Sequence, residues 1–302
     1  MRQLAHYRSS RTATLILAAV LLCASAAAQP DHGQNISPVE LVRKTVNNEL
    51  KADKESGHFM FRSRKQTSSG SQTKLFVQTR DATAAMLIAI NDQPLTPQQR
   101  QGEEGRLQYL MKNPDELKRK RKQERDDDER TSRIMRALPD AFLFEYEGTE
   151  KGSPTVGAEG AELVRLKFQP NPNYDPPSRV EQVLTGMQGI VLIDAKDNRI
   201  ARMDGTLFRD VGFGWGILGH LDKGGHFLVQ QAKIGDDTWA ITSMQLNFTG
   251  KAFFFKNIAF KHEEVFSNFR KVPSNLSFAE GVALLHKQGP VGGENQNGSK
   301  GP

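Results

Sequence analysis

Between Phe142 and His262 nearly every residue either alternates apolar with polar at a two-residue period or sits in a short apolar run bounded by turn residues. That period puts successive side chains on opposite faces of a strand, and the short turns confine the segment to antiparallel sheet. Strands are predicted near Phe142–Glu147, Ala161–Gln169, Gln188–Ala195, Arg199–Arg209, His226–Ile234, Thr238–Phe248 and Lys251–Phe260. Lys196-Asp197-Asn198, Gly235-Asp236-Asp237 and Thr249-Gly250 carry hairpin-turn chemistry. The stretch PNPNYDPP from Pro170 to Pro177 is excluded from a sheet interior, because its prolines remove ladder donors.

The remaining segments are simpler. Ser37-Pro38-Val39-Glu40 has a Ser cap, a Pro at the first helical position and a Glu at the third, and predicts a helix from Pro38 to Lys54. Short strands follow at His58–Arg62, Lys74–Gln78 and Ala84–Ile90. Thr96 and Pro97 open a helix carrying Leu107, Leu110 and Met111, and a second helix runs from Pro114 to Ala137. Its middle, KRKRKQERDDDER, answers a basic block at once with an acidic one; we read it as a solvated, self-paired helix rather than a phosphate-binding stripe. A short helix is predicted at Phe278–His286, and a disordered tail from Gly289. The sum is an α+β fold: a strongly curved antiparallel sheet of about ten strands, with an N-terminal helix and a helical insertion at 96–138 acting as plug or lid. One domain spans 37–273, followed by the short helix and tail at 274–302.

The run Thr12–Ala28, TATLILAAVLLCASAAA, is uncharged, preceded by Arg2, Arg8 and Arg11, and closes on A-x-A patterns. It reads as a cleaved signal peptide over residues 1–28, so the mature chain is expected to be exported and periplasmic. The single Cys23 leaves with it; Leu22 before it argues against lipidation, and a mature chain without cysteine has neither disulfides nor thiol chemistry. The formal charge of +6 includes the three arginines that leave, and what remains does not point to nucleic acid.

No motif supplies a catalyst. Gly214-Trp215-Gly216-Ile217-Leu218-Gly219 matches G-x-G-x-x-G, but His220 to Gly225 runs into another glycine turn and leaves no room for a phosphate-holding helix, so no nucleotide is expected. The histidines lack ligand spacing, and only His220 with His226 forms a pair near the glycine segment. No G-x-S-x-G elbow occurs, and Asp194/Asp197 and Asp236/Asp237 fall at turns, where Asp is favoured for geometry alone. We predict no catalytic residue, metal or cofactor.

The positive signal is apolar excess. Ile190-Val191-Leu192-Ile193 and Phe253-Phe254-Phe255 are apolar on both parities, and Met244, Leu246 and Phe248 are matched by Trp239 and Ile241 on the opposite one. Two-sided burial implies either packed neighbours or an apolar cavity. The candidate lining comprises Met203, Phe213, Trp215, Phe227, Trp239, Met244, Phe253 and Phe255, with Met187 as further adaptable surface.

The opening helix, short-turn strands, insertion after Asn91-Asp92-Gln93-Pro94-Leu95 and closing meander from Gln188 to Phe260 resemble the LolA/LolB/RseB superfamily of exported lipoprotein carriers and sensors. Segments such as GFGWGILGHLDKGGHF and DTWAITSMQLNFTGKAFFFK look closest to uncharacterised bacterial members. The resemblance implies a half-open β-barrel whose concave apolar face holds acyl chains of a lipid or lipoprotein, with no catalytic residues. The alternative is a non-enzymatic envelope interaction or sensor module with a packed core and a protein partner; a third reading, an envelope hydrolase, requires His220, His226 and a carboxylate in one cleft.

Overall fold

The computed structural model describes residues 36–55, 57–213, 219–235, 238–252 and 256–288. The expected signal peptide with Cys23, the tail from Gly289, the turn residues Asp236 and Asp237, and the candidates Trp215, Phe253 and Phe255 lie outside the described residues.

Helix α1 (Pro38–Glu55) leads into strands β1 (His58–Thr67), β2 (Gly70–Val77), β3 (Ala84–Ile90) and β4 (Gln93–Pro94). Helices α2 (Pro97–Lys112) and α3 (Pro114–Ala141) follow, then β5 (Phe142–Lys151), β6 (Glu162–Pro170), the one-turn α4 (Arg179–Gln182), β7 (Met187–Asp194) and β8 (Arg199–Leu207). The chain continues through β9 (Val211–Phe213), β10 (Gly219–Leu221), β11 (His226–Gly235), β12 (Thr238–Ala252), β13 (Lys256–Val272) and α5 (Phe278–Lys287). Capping explains the helix starts: Ser37 with Glu40, Thr96 with Gln99 and Ser277 with Glu280 each form the reciprocal box that satisfies amide donors left over at a helix N-terminus. Along α3, Lys118–Asp115, Lys120–Glu124, Lys122–Asp126 and Arg130–Asp127 pair at 2.6–3.2 Å, so its charge run is neutralised on the helix itself.

All ladders are antiparallel, in the order β4-β3-β2-β1-β13-β12-β11-β8-β7-β6-β5, with β10 attached to β12 and β9 to β10. The sheet has 13 strands rather than about ten, the additional ones being the short β4, β9 and β10. β4 and β5 end the order and do not pair with each other, so the sheet curls but stays open. Thr249-Gly250, expected as a turn, lies inside β12. Gly250 is needed there because a Cβ would stand 2.1 Å from the His220 carbonyl oxygen of β10. β13 also runs through Val272, well past the predicted end at Phe260, as the partner of β1.

Two large cores form on opposite faces, beside a small third cluster of Leu163, Leu192 and Ala201. Leu41, Val42 and Val46 of α1 and Leu138 and Ala141 of α3 pack with Leu166, Phe168, Val191 and Leu207 on what we term the first face. In register, Val191, Met203, Val229, Met244, Glu264 and Lys65 pair in turn across the sheet, and directly paired residues share a face. Met60, five residues before Lys65 on a strand whose ladder with β2 is unbroken, therefore faces the other way. It packs there with Val77, Ala84 and Met86 beneath Leu107 of α2 and Phe278, Val282 and Leu285 of α5. Gly281 lets α5 approach closely, since a Cβ would meet the Thr79 methyl at 2.6 Å. α3 contributes Leu117 to this second core and Leu138 to the first.

β4 covers only Ala89 and Ile90, leaving most of β3 as a sheet edge. α2 supplies the missing partners: the Leu87 N–H donates to Glu103 Oε1 at 2.7 Å and Arg106 Nη2 donates to the Ala85 carbonyl at 2.5 Å, with Glu103 and Arg106 paired at 2.8 Å. Burial alone would raise the Glu103 carboxyl, but the Arg106 guanidinium and the Leu87 amide outweigh it and hold the group below the ordinary glutamate value. A lowered folded value means this contribution is complete above the unfolded glutamate range and is lost as pH falls through the folded value. Glu103→Ala leaves the Leu87 amide unsatisfied and should lower stability by about 1–3 kcal/mol. Urea denaturation at neutral pH measures the loss, and faster hydrogen exchange at the Leu87 amide locates it.

Candidate functional site

Beyond α1 the first face continues as an apolar strip. Met203 pairs with Val229 and Val229 with Met244, Phe227 pairs with Leu246, and Phe248 with Phe260. The strip crosses β8, β11, β12 and β13, about 14 Å at the usual strand spacing. Its members are half-buried except Phe260, which is 54% exposed, and among the described residues no helix packs broadly on β11, β12 or β13. The reverse face of the same strands is mostly polar, carrying Asp204, Gln230, Asn247, Lys261 and Glu263, with Leu228 and Val265 among them.

The register corrects the expected opposite parity of Ile241. Gln230 pairs with Ser243 but Gln231 with Ile241, so Thr242 is an extra residue in β12. Past that bulge the parity inverts, and Ile241 joins Met244, Leu246 and Phe248 on the first face. Thr242 is fixed by its hydroxyl, which donates to the Thr155 carbonyl at 2.7 Å.

At the β13–β1 border the strip meets polar groups opposite Met244 and Leu246, while further along the same face Phe266 joins Phe61, Phe76 and Phe269 in an aromatic cluster. Glu264 stands opposite Lys65 and accepts a hydrogen bond from the Ser63 hydroxyl, and His262 stands opposite Thr67. Burial and the Lys65 ammonium hold the His262 imidazole below its ordinary value, with Glu264 opposing them.

Of the sequence candidates, Met203, Phe213 and Phe227 pack against the first core and Met244 lies on the strip. Trp239 is elsewhere: it packs on Leu163, Leu192 and Ala201, its indole N–H donates to Asp197 at 3.3 Å, and the Arg199 guanidinium carbon is 5.5 Å from its ring centroid. It fastens the β7–β8 turn, where Asp197 also binds Lys233 at 2.9 Å and Asp194 accepts the Lys196 and Asp197 amides at 3.0 Å. Val229 and Phe260 were not singled out from sequence, because only the register shows that they share a face with Met244 and Phe248.

The strip is closely packed at its α1 end. Phe227 lies over Gly205 and Phe248 over Gly225, so close that a Cβ would meet the rings at 2.3 and 2.4 Å. Two cavities are described, and neither is lined by the sequence candidates. One of about 440 Å³ sits beside Phe142, Leu143 and Phe144, and one of about 190 Å³ lies among Met86, Ile88, Leu95, Glu103 and His286. His226 pairs with Asp204 at 2.9 Å and His220 with Asp222 at 3.1 Å. They oppose Asn247 and Lys251 of β12, four residues and about 13 Å apart along the strand, so they do not form the joint cluster a hydrolase would need. Gly219–Leu221, after the glycine-rich match, is strand and not helix. Among the described residues no group of His, Cys, Asp and Glu is arranged to hold a metal ion, and no helix is long and apolar enough to cross a membrane.

No protein-family model matches the chain, and no curated protein matches it. Among solved structures, the crystal structure of a DUF1329 family protein from Desulfovibrio piger is similar over 79% of this chain and 95% of its own, at 9% identity and a TM-score of 0.25.

Gly205→Ala places a methyl group inside the Phe227 ring position and should cost about 1–3 kcal/mol. Gly102→Ala, in α2 with nothing within 4 Å of the new methyl, should instead stabilise by up to about 1 kcal/mol. Paired urea melts of the two variants check both signs.

Proposed function

We propose that this protein is an exported, non-enzymatic binding protein that holds the alkyl part of an amphiphile, a lipid or the acyl chains of a lipoprotein, on the first face of its sheet. The observation that carries the reading is the apolar strip of β8, β11, β12 and β13, half-exposed beyond α1 and bordered by Lys65, Glu264 and His262. Each methylene removed from water there contributes about 0.8 kcal/mol, so a chain of about a dozen carbons binds without any charged contact. Met203 and Met244 adapt to an irregular chain, and the polar border gives a headgroup hydrogen-bonding partners. Export is supported by the uncharged run Thr12–Ala28 behind three arginines.

A second reading, an exported interaction or sensor module with a filled core, is favoured by the rings of Phe227 and Phe248 packed against the bare backbone of Gly205 and Gly225.

Native mass spectrometry of the mature chain from its own compartment, before and after organic extraction, separates the two. A removable mass identified as lipid is the expected result. Met244→Asp and Leu246→Asp, which place a carboxylate on the strip, should weaken a fluorescent fatty-acid probe at least about tenfold while leaving the circular dichroism unchanged. An unliganded mass together with no probe binding would replace the carrier reading with the filled module.

A further inference from the structure

The two edges of the sheet are finished differently. At β3, Glu103 and Arg106 occupy the backbone groups that an added strand would use. At β5, the other end of the strand order, no such cap is present among the described residues.

The register shows which groups β5 presents. The Asn171 N–H donates to the Ala141 carbonyl at 2.9 Å, which brackets the Phe142–Pro170 pair as one that exchanges no hydrogen bonds. Alternation makes Leu143 and Glu145 the residues bonded to β6, so the N–H and C=O of Phe144 and Tyr146 point away from the sheet. The 440 Å³ cavity touches Phe142, Leu143 and Phe144. Asn171 and Asn173, just past the end of β6, line it as well, so the cavity sits at the start of this edge strand. Pro38, Pro139 and Tyr174 also line it.

We propose that the β5 edge receives an extended peptide as an added strand, with apolar and basic residues alternating along it. The apolar residues would lie beside Phe144 and Tyr146, with one side chain in the cavity. The basic residues would lie beside exposed Glu145, which stands opposite Lys167 of β6, with Asp175 at the cavity rim; Glu147 is already paired with Arg165 at 3.1 Å. The usable length is short, because the register shift between Tyr146 and Gly148, with Gly148 at φ 124°, bends the strand out of line. Strand addition is directional and reads only backbone and alternate side chains, so partners of differing sequence but the same pattern qualify. This surface is separate from the amphiphile strip, and extraction of lipid leaves it intact.

The test titrates the mature chain with a short peptide alternating lysine with valine or phenylalanine. The controls are an acidic copy with glutamate for lysine and a copy N-methylated at every second amide along one edge. Binding should slow hydrogen exchange at the Phe144 and Tyr146 amides at least about tenfold and should fail with both control peptides. Tyr146→Pro removes one outward N–H without touching the β6 ladder and should weaken binding about tenfold, whereas Tyr146→Phe should bind as the parent does. Equal binding of the acidic or N-methylated copy, or no binding at all, overturns the proposal. So does protection of these amides before peptide is added, which would mean that the chain itself or a second copy already occupies the edge.

Discussion

The ladder between β1 and β13 joins the first strand of the chain to the last, bringing Ser63 and Glu264 together across 201 residues of sequence. On one side of it lie β1–β4 with α2 and α5, on the other β5–β12 with α1. Each side buries its own main core, on opposite faces, and the ladder is what makes them one sheet. It also positions the site: β13 forms the margin of the apolar strip, and its register with β1 sets Lys65 and Glu264 at the strip's polar border.

Local chemistry made much of this legible. The Ser37 and Thr96 caps, the Pro that opens α1, α2 and α3, and the hairpin residues around Lys196-Asp197-Asn198 act within a few residues of themselves, so they can be read without a partner. The second half of β13 could not be read this way. KHEEVFSNFRKV places charges on both parities, and its strand state comes from β1, which pairs with it from the far end of the chain. Gly250 misled in the same manner: its glycine serves the close passage of β10, whereas in sequence it resembles a turn.

The site was legible as apolar strands but not as a surface. A single inserted residue, Thr242, decides whether Ile241 opposes Met244 or joins it, and nothing in the local pattern marks a bulge. Trp239 shows the converse, a large aromatic residue whose place is set by Asp197 and Arg199 at a neighbouring turn. The sealing of β3 was hidden for a similar reason. α2 buries Leu107 as its one fully enclosed side chain and offers Glu103 and Arg106 to a strand edge, so its working side is polar.

α3 leaves one sheet edge by way of α2 and runs directly into the other at β5, with Leu117 fixed in one core and Leu138 in the other. At 28 residues and about 1.5 Å per residue it is about 42 Å long. Its count of residues fixes the distance between those two attachments, and one helical turn more or fewer would change that span by about 5 Å.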